Sequence, residues 1–256
     1  MKYDHILVDE RGDGALIVTI NRPPLNFMNI EALIEMNSVL EQVKNTKAIK
    51  IVVFKGSGEK CFSAGVSVED HIGEHGVEMG KQLDLLFQLL IECGKPTLAV
   101  IRGAAMGGGC ELVDGCDLAI ASEKSIFGQP EINLGAYPAP AGVLLPRIVG
   151  RKKAFAIIFT GNNFDAKEAE RIGLVNKVVP DSELENAAEE LIKTFLIKSS
   201  VILSLSKRIF YGSLDIEQGL AWRKAFQGGE EILKTKDALE GLNAYLEKRK
   251  PVWKNE

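Results

Sequence analysis

Three consecutive glycines, Gly107, Gly108 and Gly109, constrain this chain more than any other stretch. They follow an apolar run, Thr97 to Ile101, bounded by Pro96 and Gly103. That run is short for a helix and reads as a buried strand. Three glycines in a row cost chain entropy on folding, so the backbone must come close there to another element or to a ligand. An apolar segment from Cys110 onward predicts a helix directly after them. A glycine run leading into a helix leaves free N–H groups at the positive end of the helix dipole. Such a place favours an anion or a developing oxyanion.

Glu111 falls in the first turn of that helix, and Glu131 stands further on in FGQPEINLG. Paired carboxylates beside an oxyanion site suit proton transfer on a carbonyl compound. Spacing leaves a second reading open, with Glu111 a charge that stabilises the dipole and Glu131 a surface loop residue. CFSAGVSVEDHIG follows a predicted strand, where ligand loops of α/β proteins gather. Gly65 in it lets the backbone approach a ligand. His71 and His75 come next and read more readily as solvated loop residues than as catalytic ones.

Elsewhere the periodicity alternates between strand and helix. Ala15 to Ile20 predicts a strand, stopped by the prolines of NRPP. Asn29 is placed to cap a helix from Ile30 to about Val43, with apolar residues at 33, 36, 40 and 43. Ile49 to Phe54 predicts another buried strand, and the pattern of a crossover unit recurs over residues 79–101. No fixed-period repeat is visible. A helix is predicted over 141–148, interrupted near Pro146, and Asp165 with Glu168 predicts a capping box for a helix that Gly173 ends. Residues 174–179 read as a short strand. From Asp181 the pattern is helical, broken at Ser199-Ser200, Gly212 and Gly228-Gly229, with a last helix from about Asp237. That shift predicts a core of residues 1–180 and a helical subdomain of residues 181–256.

Composition narrows the function. Apolar residues make up 46% and charged residues 26%, as in a globular protein with a sizeable core. A net charge of −4 gives no nucleic-acid footprint and no polybasic membrane surface. The N-terminal MKYDHILVDERGD is charged throughout, unlike a signal peptide, and no apolar run is long enough to span a bilayer. Cys61, Cys93, Cys110 and Cys116 lack metal or scaffold spacing and read as reduced, structural thiols of a cytoplasmic protein. There is no metal-ligand cluster, no dinucleotide fingerprint and no phosphate-binding P-loop.

IRGAAMGGGCEL, CDLAIASEKSIFGQPEINLGAYP, the earlier CFSAGVS and the later FDAKEAERIGLVNKVV together resemble the enoyl-CoA hydratase (crotonase) family. Matching segments run from about Gly14 to the C-terminus. The resemblance implies an α/β spiral of ββα turns with a C-terminal helical subdomain. It implies that Glu111 and Glu131 are the acid/base pair, and that the N–H groups of Ala64 and Gly108 form an oxyanion hole. Having both glutamates implies reversible hydration of an α,β-unsaturated acyl-CoA, with Glu131 exchanging the proton at carbon and Glu111 activating water. No cofactor is implied beyond the CoA of the substrate.

The family usually reads AGAD where this chain reads AGVS, so Gly65, Val66 and Ser67 are expected at an altered substrate loop. Tyr137, in AYPAPAG, either lines the acyl pocket or only packs. Tyr245 and Lys248 match an aromatic and a lysine that the family sets against CoA phosphates, often from a neighbouring subunit. Lys248 reads equally as a cation favoured at a helix end. The resemblance also implies a homotrimer or a hexamer built as a dimer of trimers. Within the family, SAGVSVEDH, GQPEINLGAYPAPAGVLLP and DALEGLNAYLEKRKPVW are nearest to hydratases of cyclohexa-1,5-diene-1-carbonyl-CoA, from anaerobic benzoyl-CoA degradation. That makes the cyclic dienoyl-CoA the expected substrate. A short-chain enoyl-CoA of fatty-acid β-oxidation is the second expectation, and an isomerase or ring hydrolase the third.

Overall fold

The structure is a computed structural model that describes residues 3–256; Met1 and Lys2 of the charged N-terminal segment lie outside the described residues. The chain opens with an antiparallel hairpin of β1 (Ile6–Glu10) and β2 (Ala15–Ile20), of which only β2 is legible as a strand in the sequence. Helix α1 (Ile30–Lys44) starts at Asn29, whose side chain accepts from the Ala32 N–H and satisfies one orphan donor of the first turn. Leu33, Met36, Leu40 and Val43 of α1 are buried, the face their spacing predicts.

The middle of the chain winds as a spiral. Strands β3 (Ile51–Gly56) and β4 (Cys61–Ser63) lead to α2 (Glu74–Glu92); β5 (Thr97–Ile101) and β6 (Ala104–Met106) lead to α3 (Gly108–Gly115). Then come β7 (Leu118–Ser122) and β8 (Ile126–Gly128), followed by α4 (Ala139–Ile148) and α5 (Arg151–Thr160). β9 (Phe164–Asp165), α6 (Ala166–Arg171) and β10 (Lys177–Val179) complete the spiral. Each turn places one strand in each of two sheets. The large sheet has the order β1-β2-β3-β5-β7-β10, and the small one β4-β6-β8-β9. Neighbouring turns pair in parallel, as crossover connections require. Their strands begin at residues 51, 97 and 118, so the turns differ in length and leave no fixed repeat in the sequence.

Helices α7 (Leu184–Leu196), α8 (Ser200–Gly212), α9 (Gln218–Leu233) and α10 (Lys236–Leu246) follow. Leu184, Ala188 and Ile192 of α7 pack on Ile51, Val53, Leu98 and Val100 of the large sheet. The helical stretch after residue 181 therefore begins as part of the sheet's own packing. The larger core lies on the other face, where α1, α2 and α3 meet β2, β3 and β5. Burying each of its large aliphatic side chains is worth about 1.5–3 kcal/mol.

Three local expectations are corrected. Pro146 does not interrupt α4, because it stands in the last turns, where one lost N–H does not end the helix. α5, unread in the sequence, follows directly. The Asp165 side chain caps α6 at 2.8 Å from the Glu168 N–H, but the Glu168 carboxylate turns to Arg171 and Lys153 instead of closing the box. Gly228 and Gly229 lie inside α9 without breaking it.

Candidate active site

Loop residues Ala64 to Ser67 follow β4 and run beside α3. The Ala64 N–H donates to Leu25 O at 2.9 Å, Gly65 N–H to Ser63 Oγ at 3.1 Å, and Ser67 N–H to Met28 O at 3.2 Å. The Val66 N–H donates to no acceptor among the described residues. The expectation that Ala64 supplies an oxyanion donor is therefore corrected: its N–H is already spent on Leu25. Val66 is the residue of this loop whose N–H stays free among the described residues, between bonded neighbours at Gly65 and Ser67.

Gly108 is the first residue of α3, and its N–H likewise has no partner, as first-turn donors lack one. The two segments touch. A Cβ on Gly108 would stand 3.2 Å from Val66 N, and one on Gly65 would stand 3.1 Å from Gly108 N. Gly65 also holds φ +100°, where a side chain is strained. Glycine at 65 and 108 is thus what brings two free donors together at the positive end of a helix.

Glu111, in the first turn of α3, is 3% exposed. One of its oxygens accepts from the Ala141 N–H at 3.1 Å. Ala141 lies in the first turn of α4, where Pro138 and Pro140 remove donors that would have no helical partner. Burial pushes the Glu111 carboxyl up to about 8, against the pull of that N–H, with Glu131 adding to the rise. Glu131 sits in a 3-10 turn, Pro130–Leu134. Burial raises its carboxyl as well, opposed by a backbone hydrogen bond and by His71. The fully buried Gln129 amide lies against Glu131, and the orientation that satisfies both groups turns its nitrogen to the two carboxylate oxygens, at 3.3 and 3.2 Å. A Cβ on Gly107 would lie 2.6 Å from Glu131 Oε1, so the first glycine of the run makes room for this carboxylate.

These groups line one cleft of about 940 Å³. Gly65, Val66, Gly108, Glu111, Glu131 and Tyr137 all reach it, as does Ala64 by its backbone position. Tyr137 lines the cleft and also rests on Gly142. His71 lines the cleft too, with Nδ1 at 2.9 Å from Ser67 O. Ser67 is not a wall residue; its backbone serves Met28 and His71. Tyr245, 82% exposed, and Lys248, just past the end of α10, lie outside the cleft of their own chain. The Cys110 thiol is buried and pushed well above the usual thiol range by burial, which leaves it unreactive. Among the described residues no group of histidine, cysteine and acidic side chains could hold a metal, and no helix is long and apolar enough to cross a membrane.

Sequence reasoning missed Gln129, Ala141, Asp114 and the Val66 N–H. Gln129 had a signal, because it stands two residues before Glu131 in a strand-to-turn segment. The Ala141 contact joins two helix starts far apart in the chain and leaves no sequence trace. Tyr211 also reaches the cleft, its hydroxyl donating to Asp117 at 2.7 Å, and the buried Lys207 ammonium donates to the same carboxylate at 2.6 Å. This network ties α8 to Asp117, between α3 and β7.

Residues 10–256 match the family model described as enoyl-CoA hydratase/isomerase. The chain is 38% identical to a short-chain-enoyl-CoA hydratase of Clostridium acetobutylicum, over 98% of this chain and 97% of that one. It is 34% identical to a crotonyl-CoA hydratase of Syntrophomonas wolfei, over 98% of both. A crystal structure of an enoyl-CoA hydratase from Bacillus anthracis superposes with a TM-score of 0.93 at 31% identity, covering 99% of this chain and 100% of that one. With the spiral, the two glutamates and these matches in hand, the chain belongs to the enoyl-CoA hydratase/isomerase family.

Proposed function

We propose that this protein is an acyl-CoA hydro-lyase that adds water reversibly across the double bond of short-chain 2-enoyl-CoA thioesters. One observation carries the reading: two carboxyls, both raised by burial, face the same cleft as the two unbonded N–H groups of Val66 and Gly108. Hydration needs one carboxylate to take a proton from water and one carboxylic acid to give a proton to carbon. A pair that shares one proton meets both needs. Glu131 is assigned to the carbon and Glu111 to the water. The Val66 and Gly108 N–H groups accept the charge that builds on the thioester oxygen. Burial raises both carboxyls in the free protein, with Glu111 the more deeply buried, which favours keeping a proton on the pair.

The reaction calls for no cofactor beyond the CoA of its substrate. Tyr245 and Lys248 are assigned to the CoA of a neighbouring subunit in a trimer or hexamer, and the site of action to the cytoplasm. The cyclic dienoyl-CoA is the second reading, favoured by the AGVS loop and by PAPAG. PAPAG has another use here, since it starts α4 and aims the Ala141 N–H at Glu111. The relatives reported above are named for short-chain and crotonyl substrates, which supports the short-chain reading. Steady-state kinetics on crotonyl-CoA and on cyclohexa-1,5-diene-1-carbonyl-CoA, with products identified by mass, test it. A kcat/KM favouring crotonyl-CoA is expected. A strong preference for the ring diene would replace the short-chain reading with the cyclic one, and a shifted double bond in place of a hydroxyl would mean an isomerase.

A further inference from the structure

Asp114 stands one helical turn beyond Glu111 on α3 and is 6% exposed. Both of its carboxyl oxygens are sealed from water, and neither has a hydrogen-bond partner among the described residues. The neighbouring acids are treated differently. Glu111 accepts from Ala141 and Glu131 from Gln129, while Asp117 accepts from Thr97, Lys207 and Tyr211. A buried carboxyl without partners is costly, and native folds seldom keep one without a use. Asp114 is also a wall residue of the cleft, together with the apolar Met79, Leu83 and Phe87 of α2.

We propose that Asp114 reads the far end of the acyl group, so that the cleft favours CoA thioesters whose tail carries a neutral oxygen, a hydroxyl or a carbonyl, beyond the reacting double bond. A purely hydrocarbon tail finds apolar contacts on α2 but leaves Asp114 unsatisfied. Burial, with Glu111 and Glu131 adding to it, holds the Asp114 carboxyl well above the usual range. That shift favours the protonated form, which can donate one hydrogen bond and accept others. A neutral oxygen answers it without bringing a charge that must be desolvated. The terminal torsion of an aspartate is broad, so a small rotation presents an oxygen to the tail.

The inference rests on the acyl-CoA reading of the cleft but not on turnover, so saturated esters test it apart from hydration. Calorimetry gives Kd for 4-hydroxybutyryl-CoA against pentanoyl-CoA, and for 5-hydroxypentanoyl-CoA against hexanoyl-CoA. Each pair sets an oxygen against a methyl at equal length. The hydroxyl member of at least one pair is expected to bind about tenfold tighter. Asp114→Leu should abolish that preference and Asp114→Asn should keep most of it, with melting curves confirming that both fold. Equal affinities within both pairs of the parent protein, or a preference that survives Asp114→Leu, would overturn the proposal; the parent result decides even if a variant does not fold. Hydration of crotonyl-CoA is read separately: its absence removes the hydratase reading and leaves the binding comparison intact.

Discussion

Two glycine runs, one in the floor of the cleft and one in the C-terminal helices, look alike in the sequence and do different things. Gly107, Gly108 and Gly109 are all consumed by close approach. Cβ atoms there would meet Glu131 Oε1 at 2.6 Å, Val66 Cγ2 at 2.8 Å and Ser63 O at 2.3 Å. In α9, Gly228 is used in the same way, with a Cβ 2.3 Å from Ile209 of α8, whereas one on Gly229 would meet nothing within 4 Å. The first run starts a helix and the second lies in the middle of one. A glycine run therefore signals close packing against a neighbouring element more reliably than it signals a break. Tertiary packing of α8 on α9 offsets the propensity cost.

The regions also differ in completeness. Of the four N–H groups of the 64–67 loop, that of Val66 alone has no acceptor among the described residues, and Val66 lines the cleft. The C-terminal helices leave Trp222, Phe226, Leu239, Leu242 and Leu246 largely exposed in one chain. Apolar side chains on that scale mark an interaction surface. This supports the assignment of Tyr245 and Lys248 to a neighbouring subunit.

The same substitution in both regions sharpens the contrast. Gly108→Ala forces Val66 aside and spreads the two unbonded N–H groups proposed to hold the thioester oxygen, and a loss of about 10²-fold in kcat with a smaller change in KM is expected. Unchanged kcat in a folded variant would show that these donors do not meet the thioester oxygen. A smaller effect, on stability, concerns Glu111. The folded protein holds its proton until about pH 8, whereas the unfolded chain releases it near 4.5. The folded state binds more protons between those values, so stability falls as pH rises through that window. Glu111→Gln should then match the parent below pH 4.5 and exceed it by a few kcal/mol above pH 8, read from denaturant midpoints. A constant difference across the window would mean that the carboxyl is not buried as described. The smallest effect belongs to α9, where Gly229→Ala should add about 0.5–1 kcal/mol and leave kcat alone. Destabilisation there would mean that α9 is not the open helix surface found at that position.

How much of this was legible in the sequence follows from how local each cause is. β5, α1 with its Asn29 cap and a helix beginning at the glycine run were readable, although the expected start at Cys110 lies two residues past Gly108, because periodicity, caps and glycine runs act within a few residues. β1 escaped because its charged residues hide a short strand whose partner is β2. The two glutamates were visible as residues, and the structure brings both into one cleft. The identity of the loop donor was not visible, because it depends on where Leu25 O and Met28 O sit. Asp114 was invisible for the same reason, since lacking a partner is a property of the fold.

The central claim is that Glu111 and Glu131 act as one unit on a CoA thioester. Steady-state hydration of crotonyl-CoA by the parent, Glu111→Gln, Glu131→Gln and the double variant tests it most directly. Groups that share one task are strongly non-additive. Each single change is expected to lower kcat by about 10²–10⁴-fold, with the double variant little worse than either. Near-normal turnover in a single variant, or losses that multiply in the double, would contradict the account.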